Sequence, residues 1–171
     1  MSNTLEHKIR TYLAGPIGEV SLKKARDWRK RVAKNLALMG IAVLNPLDKE
    51  HELPVRRRLF SLGKNGDIDT LRQLAHSEFV KPDLEMVKHC AFITFKLPKE
   101  DNAEICGSFG EITCACLLDI PVYIVTDRRL KPLNVPYWAV GCSTKIFSTW
   151  QEYYKYVKEE WIDKHVAKDD V

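Results

Sequence analysis

The stretch "CGSFGEITCACLLDIPVYIV" at residues 106–125 places one carboxylate, Glu111, between a glycine turn and a small-residue helix that runs into an apolar strand. Two kinds of chemistry fit it. Ser108 and Glu111 match the S-x-x-E capping box, in which serine accepts from a backbone amide and glutamate returns the bond. Alternatively, a carboxylate in the first turn of a helix feels the positive end of the helix dipole, which favours its ionised form and suits it to act as a nucleophile. Gly107 would let backbone approach a ligand with no Cβ between them.

The elements around it must hold that carboxylate. "KIRTYLA" (8–14) reads as a strand ending in Gly15-Pro16, and "SLKKARDWRKRVAKNLALMG" (21–40) carries a helical stripe of Leu22, Ala25, Trp28 or Arg29, Val32, Leu36 and Met39. "IAVLNP" (41–46) is a second strand, so strand, helix and strand form a βαβ unit of a parallel sheet. Residues 48–80 are hard to assign and read as a lid or binding segment containing a helix near Ile68–Phe79. Pro82 suits the first turn of a further helix. Then come a strand at "AFITFKL" (91–97), a helix at 108–118, a strand at 120–126, a short strand at "KIFST" (145–149) and a last helix opened by Trp150. The pattern predicts one domain over residues 1–171, a doubly wound α/β sheet of about five strands. The aromatic stripe Trp150, Tyr153, Tyr154 and Trp161 reads as core or subunit interface.

In such sheets ligands sit at the carboxyl ends of the strands. Four stretches fall there: "YLAGPI" (12–17), "NPLD" (45–48), the loop 98–107 and "KPLN" (131–134). They bring forward Gly15, Pro16, Asp48, Gly107 and Ser108 as candidates beside Glu111. Asp83 stands just after Pro82, where an acid at a helix start also needs no function.

Bulk properties restrict the alternatives. Of 171 residues, 45% are hydrophobic and 29% charged, with a formal charge of +4, too mild to argue for nucleic acid. No apolar run is long enough for a membrane span, and Met1–Arg10 is too polar for a signal peptide, so a cytoplasmic protein is expected. Five cysteines read as reduced, mostly buried thiols, with Cys114 and Cys116 on different helix faces. Arg56–Arg58 is a solvated basic face or a phosphate contact. His51, His76 and His89 have no paired partner in sequence and read as structural or exposed.

Tyr12-Leu13-Ala14-Gly15-Pro16, Asn45-Pro46, Asp83-Leu84, Gly107-Ser108-Phe109-Gly110-Glu111 and Lys131-Pro132-Leu133-Asn134, in that order over residues 9–150, resemble the nucleoside 2-deoxyribosyltransferase family and its N-glycoside hydrolase relatives. The resemblance implies a flavodoxin-like fold, a homo-oligomer with shared sites, and transfer of deoxyribose between nucleobases through a covalent glutamyl intermediate, with no cofactor and no metal. It implies Glu111 as nucleophile, Tyr12 as the tyrosine contacting it, Asp83 near sugar or base, and Asn134 reaching the 5'-hydroxyl in a neighbouring subunit. The sequence departs from the family where an aspartate often stands six residues before the nucleophile. Ile105 occupies that place, which leaves Glu104 or Asp101 as the proton donor. A hydrolase of nucleosides or 5'-monophosphates, and a nucleotide-binding sensor without turnover, remain the alternatives.

Overall fold

A computed structural model of the chain describes residues 9–17, 21–48, 58–59, 61–64, 66–98, 105–126 and 135–164. Five strands form one parallel sheet: β1 (Arg10–Ala14), β2 (Ala42–Leu44), β3 (Phe92–Leu97), β4 (Val122–Thr126) and β5 (Lys145–Phe147). Their order is β2-β1-β3-β4-β5, the flavodoxin-like arrangement in which the chain reverses direction beside β1. Tyr12 pairs with Leu44 on one side and Ile93 on the other, so the sheet's centre lies at β1 and β3.

Helices cover both faces. α1 (Leu22–Ala37) and α6 (Trp150–Val157) pack with Leu13, Phe92, Tyr123, Val125 and Phe147 on one face. α3 (Lys81–Lys88), α4 (Cys106–Leu117) and α5 (Tyr137–Cys142) pack with Tyr12, Ile93, Phe95, Leu97 and Ile124 on the other. Because both faces are covered, the central strands are buried along their length. Even the polar Thr11 and Thr94 are fully enclosed, and their hydroxyls bond each other at 2.9 Å, with Thr94 also bonding the Tyr153 hydroxyl.

The last helix packs the aromatic stripe against the core. Trp150 lies over Trp28 at 6.1 Å between rings, Tyr153 is fully buried, and Trp161 Nε1 donates to the Tyr123 hydroxyl at 3.1 Å.

Two features differ from expectation. Pro82 does not open a new helix after a loop: α2 (Ile68–Ala75) runs through a π-type turn at His76–Val80 straight into α3. Proline lacks the amide that would close an i→i−4 bond, and the widened turn just before it accommodates that missing donor. The cysteines are also less enclosed than expected, since only Cys90 is buried while Cys106 and Cys116 are exposed.

Candidate active site

α4 starts three residues earlier than the capping box requires. Its first residue is Cys106, its N-cap is Ile105 with no side-chain cap bond, and no acid lies in its first turn. Ser108 and Glu111 are therefore both inside the helix, one turn apart on one buried face, at 5% and 8% exposure. Neither the capping box nor a first-turn dipole positions Glu111. A variant of the S/T-x-x-E device operates at α6, where the N-cap Thr149 accepts from the Glu152 amide at 3.2 Å and Glu152 Oε2 accepts from the amide of Ser148, one residue before the cap, at 3.1 Å.

What holds Glu111 is tertiary. Tyr12, fully buried in the middle of β1, donates its hydroxyl to Glu111 Oε1 at 2.6 Å. Burial, then the nearby charges of Glu111 and Asp83, raise the Tyr12 pKa well above the usual tyrosine value; Arg29 opposes this weakly. Tyr12 consequently stays a donor through the physiological range, and Glu111 stays its acceptor.

Glu111 opens onto a cavity of about 690 Å³ lined by Asp83, Leu84, Phe79, Phe109 and the α4 face Cys106, Gly107, Gly110, Thr113, Cys114 and Leu117. Asp83 faces it from the first turn of α3. Gly107 and Gly110 leave that wall bare, since a Cβ at either would meet nothing within 4 Å. The walls are mostly apolar, with the Glu111 and Asp83 carboxyl groups and the Thr113 hydroxyl among their polar features, and the Tyr12 phenol lies behind Glu111.

The remaining candidates are placed differently. Gly15 and Pro16 are buried and do not line the cavity. Gly15 has φ +154, and a Cβ there would lie 2.8 Å from Trp28 Cζ2. Asp48 does not join Glu111 either. It accepts from Asn45 Nδ2 at 2.8 Å and lines a second cavity, of about 480 Å³, at the β2 edge between α1 and the 3-10 turn Pro46–Asp48. A sheet's carboxyl edge is wide, and β2 ends on the far side of β1 from α4, so shared edge position did not bring Asp48 to the site. Asn134, Glu104, Asp101, His51, Arg56 and Arg57 lie outside the described residues; Arg58, His76 and His89 are exposed.

Arg29 is the residue that sequence reasoning missed. It is 1% exposed, donates to the Gly15 carbonyl at 2.9 Å and the Ala25 carbonyl at 3.0 Å, and lies 4.4 Å over the Trp28 ring. It ties the loop after β1 to α1. The signal was present as an arginine within an apolar stripe, four residues after Ala25. Among the described residues, no three His, Cys, Asp or Glu side chains are grouped to hold a metal ion, and no helix is long and apolar enough to cross a membrane.

No protein-family model and no curated protein sequence matches the chain. Among solved structures, a 2-deoxyribosyltransferase of the psychrotolerant bacterium Bacillus psychrosaccharolyticus aligns with a TM-score of 0.59 over 86% of this chain and 91% of that one, at 17% identity. A CMP N-glycosidase of Clostridium botulinum aligns with a TM-score of 0.48 over 88% and 98%, at 16% identity. The first similarity establishes a common architecture for nearly the whole of both chains: the parallel five-stranded α/β fold is that of the 2-deoxyribosyltransferase.

Proposed function

We propose that this chain is an enzyme acting on N-glycosidic bonds, a nucleoside 2-deoxyribosyltransferase. The Tyr12–Glu111 hydrogen bond at the wall of an apolar cavity, with Asp83 facing it, carries the reading. Cleavage of a 2'-deoxynucleoside passes through an oxocarbenium-like state, which a carboxylate below the anomeric carbon stabilises and then traps as an ester. Glu111 is the proposed nucleophile: its carboxylate adds to the anomeric carbon as the base leaves with the bonding pair and takes up a proton. A second base then attacks the anomeric carbon, releasing Glu111. Tyr12 holds the carboxylate in the attacking orientation. Asp83 contacts sugar or base, and Glu104 or Asp101 protonates the leaving base. Gly107 belongs to the substrate-binding wall, and Ser108 lies buried behind it one turn from Glu111. Segment 48–80 is a lid over the reaction, a role supported by Phe79 and Val80 lining the cavity.

The resemblance also supports a cytoplasmic homo-oligomer in which Asn134 of a neighbouring copy reaches the 5'-hydroxyl. The exposed apolar side chains of Val80 and Leu117 at the cavity rim support it, because a wall of this kind is completed by another surface.

The test is product analysis over a panel of deoxynucleosides and deoxynucleotides, with and without an acceptor base. Exchange of bases is the expected result. Glu111→Gln should lower its rate by at least about a thousandfold, as expected for loss of a nucleophile. Free sugar or sugar phosphate formed without an acceptor would replace the transferase by a hydrolase. Thermal stabilisation by nucleotide with no base release would replace both by a sensor. Undiminished exchange in Glu111→Gln would refute the mechanism.

A further inference from the structure

The cavity of about 480 Å³ between α1 and the outer side of β2 shares no lining residue with the cavity of Glu111. Arg26, Lys30, Ala33 and Ala37 line it from α1. Their spacing of four, three and four residues sets them along one helix face, which runs about 16 Å at roughly 1.5 Å per residue. β1 and β2 are parallel, so α1 returns antiparallel to both, and the two ends of the groove differ. At one end Arg26 and Lys30 line it together with Asn45 and Asp48, which follow the carboxyl end of β2. At the other end Ala33 and Ala37 line it with Ile41, whose amide donates to the Leu36 carbonyl at 3.1 Å.

Positive charge is concentrated on this helix. α1 carries seven Lys and Arg and a single acid, Asp27, while the whole chain has a formal charge of only +4. Arg26 and Lys30 are exposed, and Arg29 adds a third cation to the lining, buried against the Gly15 and Ala25 carbonyls. Asp48 is the one carboxylate among the described lining residues, and it accepts from Asn45 Nδ2 at 2.8 Å. The sheet edge supplies a donor as well. The Ala42 amide points toward β1, where it donates to the Ile9 carbonyl at 3.0 Å. Successive residues of a strand turn their peptide groups to opposite sides, so Val43, also in the lining, directs its N–H outward, where no described strand pairs with it.

We propose that this groove binds a soluble phosphate monoester with an extended apolar body. The phosphate sits between Arg26 and Lys30, two cations one turn apart that match a head group of nearly two negative charges at neutral pH. The body lies along Ala33, Ala37 and Ile41, where small side chains leave room beside an apolar floor. Both halves are needed: the cations select the charge, and the alanine face selects the length. The site stands apart from the proposed N-glycosidic chemistry, and Arg29 is the residue that joins it to the loop after β1.

The test is calorimetric titration of the full chain with hexyl phosphate, inorganic phosphate and hexanol. Hexyl phosphate should bind saturably, one per chain, at least about tenfold tighter than either fragment, and more weakly as salt rises. The double variant Arg26→Ala/Lys30→Ala changes two exposed side chains, so it should melt close to the parent protein and bind hexyl phosphate at least about tenfold more weakly. Ala33→Trp should fill the apolar end and weaken hexyl phosphate while leaving inorganic phosphate unchanged. Parent-like affinity in the double variant would overturn the proposal, as would hexyl phosphate binding no better than inorganic phosphate. Sedimentation with phosphatidylglycerol vesicles without binding of hexyl phosphate would also overturn it, in favour of a membrane surface. Glu111→Gln should bind hexyl phosphate like the parent; loss of binding there would place the ligand in the other cavity and refute the assignment. None of these readouts uses base exchange, so a failed transferase assay and a failed titration are separate results.

Discussion

Tyr12 reaches Glu111 across 99 residues of sequence, and its hydroxyl donates to the carboxylate. Replacing Tyr12 by phenylalanine would keep a ring in the same enclosed slot and delete the donor. A hydrogen bond to a charged group contributes about 1.5–3 kcal/mol. Tyr12→Phe should therefore lower kcat for base exchange by roughly 10- to 150-fold with KM little changed. Steady-state kinetics on a folded variant, verified by its melting curve, would measure this. An unchanged kcat would mean that the carboxylate is oriented without Tyr12. Glu111 itself was legible from its glycine-flanked position in the sequence; the means of holding it was not. S-x-x-E describes both a helix start and a pair of inward-facing residues one turn into a helix. Only the position of the first helical residue separates the two.

At the level of elements, the loop after β1 is fixed by α1. Arg29 holds the Gly15 carbonyl, and the Trp28 ring occupies the space that a side chain at Gly15 would need. Gly15→Ala puts a Cβ 2.8 Å from Trp28 Cζ2 and 3.3 Å from the Lys96 carbonyl, at a backbone angle of +154° that side chains rarely adopt. A destabilisation of about 1–3 kcal/mol follows from overpacking and backbone strain together, measurable as a lower urea midpoint. Arg29→Lys should restore less stability than the parent arginine gives, because a single ammonium nitrogen lacks the fixed fork by which two guanidinium nitrogens reach the Gly15 and Ala25 carbonyls separately. Comparing Arg29→Lys with Arg29→Ala by denaturant titration checks this; equal stability of Arg29→Lys and the parent would contradict it. The βαβ reading of residues 8–46 was legible because helix and strand periods alternate there. The continuous helix from Ile68 to Lys88 was hidden by Pro82, whose usual meaning is a helix start.

At the level of the whole molecule, helices cover both faces of the sheet, aromatic side chains gather on the α1 and α6 side, and the buried tyrosines couple its stability to alkaline pH. Burial pushes Tyr123 up to about 12, and Tyr153 is likewise raised. In the unfolded chain each titrates near 10. The unfolded state therefore binds fewer protons above that pH, and the stability these phenols contribute is complete below pH 10 and lost as pH rises toward 12. Urea midpoints should fall from pH 9 to pH 11.5, and Tyr123→Phe should flatten part of that fall. A midpoint independent of pH in this window would refute the assignment.

The amino-acid sequence by itself determined the order and type of most elements, because apolar periodicity and turn residues are local properties of the chain. It also marked Glu111, Tyr12 and Asp83 as residues worth weighing together. The tertiary structure alone decided which of them meet. It placed Tyr12 against Glu111, sent Asp48 to another cavity, and buried Arg29 against the Gly15 carbonyl. Such juxtapositions depend on strand order and helix packing, which join residues far apart in the chain and leave no mark in the spacing of either one.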